Sequence, residues 1–297
     1  MTILITGANG LIGKSVVSRF LAQGHAVVGI GRGDRNDLDV RAQWLSVDLC
    51  TAGADLDLHQ FEADALVHLA AIPSPGVVED SELFANNTLA TFNVLRAAGE
   101  AGIVKAVVAS SISIYGLVWA TRRPPLDLVP LSEVAAVRPT DTYALTKQVD
   151  EATAGMMVRR YGMAIACLRF PNVSDEADVL ERRRQVDEDP TIAHRELWAY
   201  LTFADAGRAV EAAIQASFEG LLIANVVSPA SLYSGDVREL ITRFYPEAAS
   251  ELGAGKSQPT YATRVAQDIL GFTGETVSED SATSRPAQPV SDGGKIA

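Results

Sequence analysis

The sequence predicts an α/β fold: a doubly wound parallel sheet with a small C-terminal lobe. Three observations predict it. Aliphatic and β-branched runs alternate with helical stretches through the first two-thirds of the 297 residues. The runs are continuously apolar, as in strands covered on both faces. A glycine turn, TGANGLIG, joins the first run directly to the first helix.

Taken in order, the predicted strands are TILIT (2–6), AVVGIG (26–31), ALVHLA (65–70), KAVVAS (105–110) and AIACLRF (164–170), with helices over 12–23, 81–101 and 142–161 between them. After 171 the pattern is helical over 232–246 and 262–272, with Pro and Gly between, and these segments are expected to form a small lobe together with 172–200. Residues 273–297 hold scarcely any core-forming side chain and are rich in Ser, Gly, Pro and acid, which predicts a disordered tail.

A net charge of -12 and a pI near 4.8 exclude an extended nucleic-acid surface, which needs basic side chains to neutralise phosphate. Cys50 and Cys167 are far apart, belong to no metal-spaced pair and sit among apolar neighbours, so both are expected to be buried thiols in a reducing compartment. The first residues lack a signal peptide's basic stretch, and no apolar run has the length of a membrane span. A soluble cytoplasmic protein is expected.

Gly7, Gly10 and Gly13 let backbone approach a pyrophosphate, and the helix that starts at Leu11 and Ile12 aims free N–H groups and its positive end at that anion. Residues 1–171 are thus expected to be mainly a dinucleotide-binding domain of Rossmann type. Residues 172–272 would supply the substrate lobe and the returning strand and helix segments. At the end of the second strand Gly31 stands where an acidic residue would accept from a ribose 2′-hydroxyl, and Arg32 follows. An arginine there accommodates a 2′-phosphate, which favours NADP over NAD; Asp34 nearby keeps NAD open.

Tyr143 precedes Lys147 by four residues, so the two are neighbours on one helix face. A fixed ammonium about 4 Å from a phenolate, at an effective dielectric of about 20, favours that anion by on the order of 4 kcal/mol, which brings a phenol toward the proton affinity that general acid/base work needs. Ser110 and Ser111 end the fourth predicted strand, at the edge where open α/β sheets place ligands.

With these motifs in this order, residues 2–272 resemble the extended short-chain dehydrogenase/reductase superfamily, the NAD-dependent epimerase/dehydratase family. The resemblance implies an NAD(P)-dependent enzyme in which Ser111, Tyr143 and Lys147 are catalytic, Ser111 polarising the substrate oxygen and Lys147 also holding the nicotinamide ribose. It further implies an adenine contact at Asp48 and Leu49, a cofactor-lining segment at Leu69, Ala70 and Ala71, and a cofactor-side helix start at Asn87, where Ala90 replaces a glycine. Pro171 would approach the nicotinamide and Asn172 the substrate. His68 is expected to be structural. A homodimer is the family's usual assembly.

Two departures bear on the substrate. Ser174, Asp175 and Glu176 replace the family's Y-G-P after Asn172 and Val173. The stretch from Asn172 to FADAGRA (203–209), which resembles the returning strand and helix start at Asp205, is shorter than nucleotide-sugar enzymes commonly have. A free sugar, a sugar acid or another small polyhydroxylated compound is the expected substrate. The arginines of ERRRQ (181–185) are either a grip for a diphosphate or carboxylate or a solvated helix face. The alternatives are a nucleotide-sugar epimerase that recycles its NAD(P) within each turnover and a non-catalytic NADP-binding protein. A dehydratase is less favoured, because no acid pair follows Ser111.

Overall fold

A computed structural model of the chain describes residues 1–35, 38–122, 124–253 and 257–278. Along it run β1 (Thr2–Thr6), α1 (Leu11–Ala22), β2 (Ala26–Gly31), β3 (Gln43–Ser46), the single turn α2 (Leu49–Ala52), β4 (Ala65–His68), α3 (Asp80–Glu100) and β5 (Lys105–Ser111). There follow β6 (Leu128–Val129), α4 (Thr142–Tyr161), β7 (Ala164–Phe170), β8 (Val173–Ser174), α5 (Glu176–Glu188), β9 (Leu201–Thr202), α6 (Phe203–Gln215), β10 (Leu221–Asn225), α7 (Val237–Phe244), β11 (Ala249–Ser250) and α8 (Arg264–Leu270).

Seven strands form one parallel sheet in the order β10-β7-β5-β4-β1-β2-β3. Successive strand residues face opposite sides. Ile3 and Ile5 therefore join a core with Val16 and Phe20 of α1 and Val210 of α6, while Leu4 joins one with Val94 of α3 and Met157 of α4. The chain leaves β1 toward β3 on one side and returns through β4 toward β10 on the other. That reversal opens a crevice at the carboxyl ends of β1 and β4, where such sheets bind ligands.

A third core builds the lobe. Ile112, Ile114, Leu117, Leu126 and Val129 pack there with Val179, Trp198, Leu240 and Tyr245. Residues of the connection between β5 and α4 thus join the lobe core although they precede residue 171. The helix expected over 232–246 is confined to α7, capped by Asp236, whose carboxylate accepts from Arg238 N at 3.0 Å. That over 262–272 is confined to α8, closed by Gly271 at φ 64°.

The start of the predicted tail is also corrected. Asp205 accepts from Glu275 N at 2.7 Å, Arg183 donates to Val277 O at 2.7 Å, and Val277 is buried in the lobe core, so the chain beyond 272 is anchored to the fold as far as Val277. Residues 279–297, on which the rest of that expectation falls, lie outside the described residues. Among the described residues no helix is long and apolar enough to cross a membrane.

Candidate active site

The glycine turn forms one wall of the crevice. Gly7 has φ 67°, and a Cβ there would come within 2.7 Å of Ala70 N, so only glycine lets the turn after β1 lie against the turn after β4. A Cβ on Gly13 would collide with the Gly7 carbonyl, which is how α1 seats against the same turn. Gly10 caps α1 and offers no side-chain acceptor, so the first-turn N–H groups, including those of Leu11 and Ile12, keep the unpaired donors of a helix start. Backbone donors, a bare turn and a helix end together fit a pyrophosphate.

Next to this wall lies a cavity of about 240 Å³. Gly7, Arg32, Asp48, Leu49, Ala70 and Ala71, candidate cofactor contacts from the sequence, line it, together with Asn9, Trp44, Val47, Cys50 and Asn86, which the sequence did not single out. Asp48 is held by capping α2 through Cys50 N at 2.9 Å. Cys50 is only half-buried, a correction to the expected buried thiol: it faces this cavity, whereas Cys167 is buried in the sheet. The Oδ1 atom of Asn9 is buried at the crevice without a partner, an acceptor ready for a bound group. These residues fit the adenosine half of a dinucleotide.

Asn87 is placed differently from the expectation. It is buried behind the crevice wall, its amide accepting from Ile72 N at 2.8 Å and donating to Ile72 O at 3.1 Å and to Thr146 at 3.3 Å. It holds the segment after β4 in place, and Asn86 beside it lines the cavity. Asn87 also lies inside α3, which begins at Asp80, and is not the helix start expected, and only packing separates the two asparagines.

Asp141 caps α4 by accepting from Ala144 N at 2.8 Å, and the inner stripe of that helix carries Tyr143, Lys147, Asp150, Glu151 and Ala154. Lys147 Nζ stands 5.6 Å from the Tyr143 ring centroid and donates to Ala109 O of β5 at 2.9 Å and to Asp150 Oδ2 at 3.2 Å. Burial opposes its charge, but Asp150 and Tyr143 outweigh burial and hold the ammonium above the ordinary lysine range. Ser111 ends β5 and caps the turn that follows; its Oγ accepts from Ser113 N at 3.1 Å and donates to Ser113 Oγ at 3.0 Å. This turn packs on α4, so the serine and the tyrosine–lysine pair share the carboxyl edge of the sheet. Pro171 is buried just beyond β7, and the exposed Asn172 accepts from Ser174 Oγ at 2.9 Å.

His68 is structural, as expected. The Thr6 hydroxyl bonds its Nδ1 at 2.7 Å and Thr91 its Nε2 at 3.0 Å, bridging β1 and α3. Burial, aided by the Lys147 charge, lowers its pKa from 6.5 to about 3. The unfolded chain therefore binds this proton at a higher pH than the folded one, so stability is unaffected above 6.5 and falls as pH drops from 6.5 toward 3. Unfolding free energies from urea titrations at pH 7, 6 and 5 are expected to decline by up to about 1.4 kcal/mol per pH unit from this group, and less in His68→Asn. An equal decline in both proteins would count against this.

Behind the edge lies a polar network that local patterns did not reveal. Glu151 receives both Arg169 Nε and Nη2 at 2.8 Å and Ser110 Oγ at 2.7 Å. Arg169 Nη1 donates to the Tyr115 hydroxyl at 2.9 Å, which donates to Asn225 Oδ1 at 2.7 Å. Asn225 donates to Leu131 O and Ala262 O, tying the sheet to the lobe. Of the two serines, Ser110 belongs to this network and Ser111 caps the turn after β5. The arginine run is internally engaged: Arg182 with Glu196, Arg183 with Tyr200 and Val277 O, Arg184 with Glu181. Asp175, in the departure from Y-G-P, caps α5 through Asp178 N at 2.8 Å.

Residues 3–186 match the family described as NAD dependent epimerase/dehydratase. L-arabinose 1-dehydrogenase (NAD(P)(+)) of Haloferax volcanii is 31% identical over 235 residues, 76% of this chain and 87% of that protein. UDP-glucose 4-epimerase of Mycolicibacterium smegmatis is 32% identical over 184 residues, 58% of this chain and 56% of that protein. The alignment thus spans only about half of the epimerase. Among solved structures, MoeE5 in complex with UDP-glucose and NAD superposes with a TM-score of 0.67 at 25% identity, over 93% of this chain and 94% of that one. A short-chain dehydrogenase/reductase superfamily protein from Agrobacterium tumefaciens with bound NAD gives 0.69 at 20% identity, over 95% and 96%, a likeness of fold.

Proposed function

The chain belongs to the NAD dependent epimerase/dehydratase family, and from that premise we propose that it is an NAD(P)-dependent oxidoreductase acting on an alcohol or carbonyl of a small, sugar-like polyhydroxylated substrate through Ser111, Tyr143 and Lys147. The observation that carries the reading is the pairing of Tyr143 with a buried Lys147 at the edge of β5, beside the glycine-walled crevice. The alignment over most of the arabinose dehydrogenase supports a sugar as substrate.

The Gly7–Gly13 turn and the cavity of Asp48, Ala70 and Ala71 would hold the dinucleotide, which would supply a hydride acceptor or donor. The protein supplies position and the proton. Ser111 Oγ turns from Ser113 to bond the substrate oxygen. Tyr143 Oη takes the proton from that oxygen during oxidation and returns it during reduction. Lys147 puts positive charge on the side of the ring where anionic oxygen develops, and its remaining N–H is available to a ribose hydroxyl. The exposed Asn172, just beyond β7, is the candidate substrate contact.

For the cofactor, NADP is favoured by two neighbours at the end of β2. A Cβ on Gly31 would meet Trp44 Cη2 at 2.7 Å, so an acidic side chain does not fit there, and Arg32 is exposed beside it. The competing epimerase reading rests on the likeness to UDP-glucose 4-epimerases. One assay separates them. The purified protein with aldoses, sugar acids and UDP-sugars is expected to release reduced NADP or NAD into solution at 340 nm with the free sugars. Isomerised UDP-sugar without net reduced cofactor would establish the epimerase instead.

A further inference from the structure

Helix geometry sets Lys147 between two competitors. The half-buried Tyr143 lies one turn before it and the buried Asp150 one turn after it, on the same face of α4. The two charged side chains, Lys147 and Asp150, are 4% and 1% exposed, and they meet at 3.2 Å. The ammonium is therefore seen by Tyr143 not as a lone charge but as one half of an ion pair. The carboxylate is thinly satisfied: Oδ2 meets Lys147, Oδ1 makes no close hydrogen bond, and the Thr91 hydroxyl beside it, which also reaches the Asn87 carbonyl, helps to hold the anion.

We infer that Asp150 is a positioning residue of this site, which holds the Lys147 ammonium against Ala109 O and partly cancels its charge, so that it sets the working pH of the Tyr143–Lys147 pair and the site's preference between oxidised and reduced cofactor. The inference rests on the reading of Tyr143 and Lys147 given above. Every other charged or titratable group near Asp150 leaves this role to it. On α4, Glu151 is held by Arg169 of β7; Cys167 of β7 is a thiol that burial pushes well above its ordinary range; His68 of β4 is neutral; α3 presents Thr91 and β5 the Ala109 carbonyl. Burial raises the Asp150 carboxyl above its ordinary value while Lys147 pulls against it.

The sign follows from charge. With the carboxylate gone, the ammonium acts undiminished on a developing phenolate, and the acidic midpoint of the kcat/KM profile belongs to the coupled pair. Oxidised nicotinamide carries a positive charge that the reduced ring lacks, so loss of a nearby anion disfavours the oxidised form.

The test uses Asp150→Asn, Asp150→Leu and Asp150→Glu in the full chain, with pH profiles and direct titration by oxidised and reduced NADP. Asn and Leu are expected to move the acidic midpoint down by about one pH unit and to weaken oxidised relative to reduced NADP several-fold, while Glu stays near the wild type. Leu removes the half-satisfied carboxylate and keeps the test open if the Asn protein does not fold. Folded neutral variants with an unmoved midpoint and an unmoved affinity ratio would overturn the inference. A wild type without turnover would sink the catalytic reading alone, and the affinity ratio would still decide the role of Asp150.

Discussion

Tyr143→Phe is expected to lower kcat by about 10²–10⁴-fold, the range of a single general acid–base group, while dinucleotide affinity and thermal stability stay essentially as they are. The substitution removes one oxygen from a half-buried ring. Lys147 keeps its bonds to Ala109 O and Asp150, so the ammonium does not move. The hydride geometry is untouched and only the proton has no place to go. Steady-state rates alongside cofactor titration check this, and a kcat near that of the wild type would remove Tyr143 from the chemistry.

Arg169→Leu is expected to destabilise the fold by about 3–5 kcal/mol, because it leaves the buried Glu151 carboxylate without its partner. Arg169 joins Glu151 through two nitrogens and Tyr115 through a third, so Arg169→Lys, a point charge without the planar fork, should recover little. Arg169→Leu combined with Glu151→Leu should be more stable than the single variant, since the stranded charge is gone. Urea unfolding measures all three. A double variant no better than the single would mean that the cost lies in packing and not in charge.

The sequence was legible wherever one local period carried the information. Continuous apolar runs marked β1, β2, β4, β5 and β7, and a four-residue interval marked Tyr143 and Lys147. The edge strands β3, QWLS, and β10, LLIAN, were missed: one is short and polar, and the other opens on the exposed Leu221. Asp150 stood in plain view three residues after Lys147, but its meaning required burial, which spacing does not give. The Arg169 network joins residues 18 to 110 positions apart, beyond any local pattern. Trp44 likewise gains its place only because β3 pairs with β2, setting the indole over Gly31.

The lobe is braided from stretches on both sides of α4. Ile112, Ile114 and Leu126 come before α4, Val179 and Leu240 after it, and Val277 closes the bundle. A chimera that exchanged only the segment beyond residue 171 would graft a roof onto a foreign floor. Giving this scaffold a different lobe therefore calls for paired changes in the 112–138 and 172–278 stretches, made together.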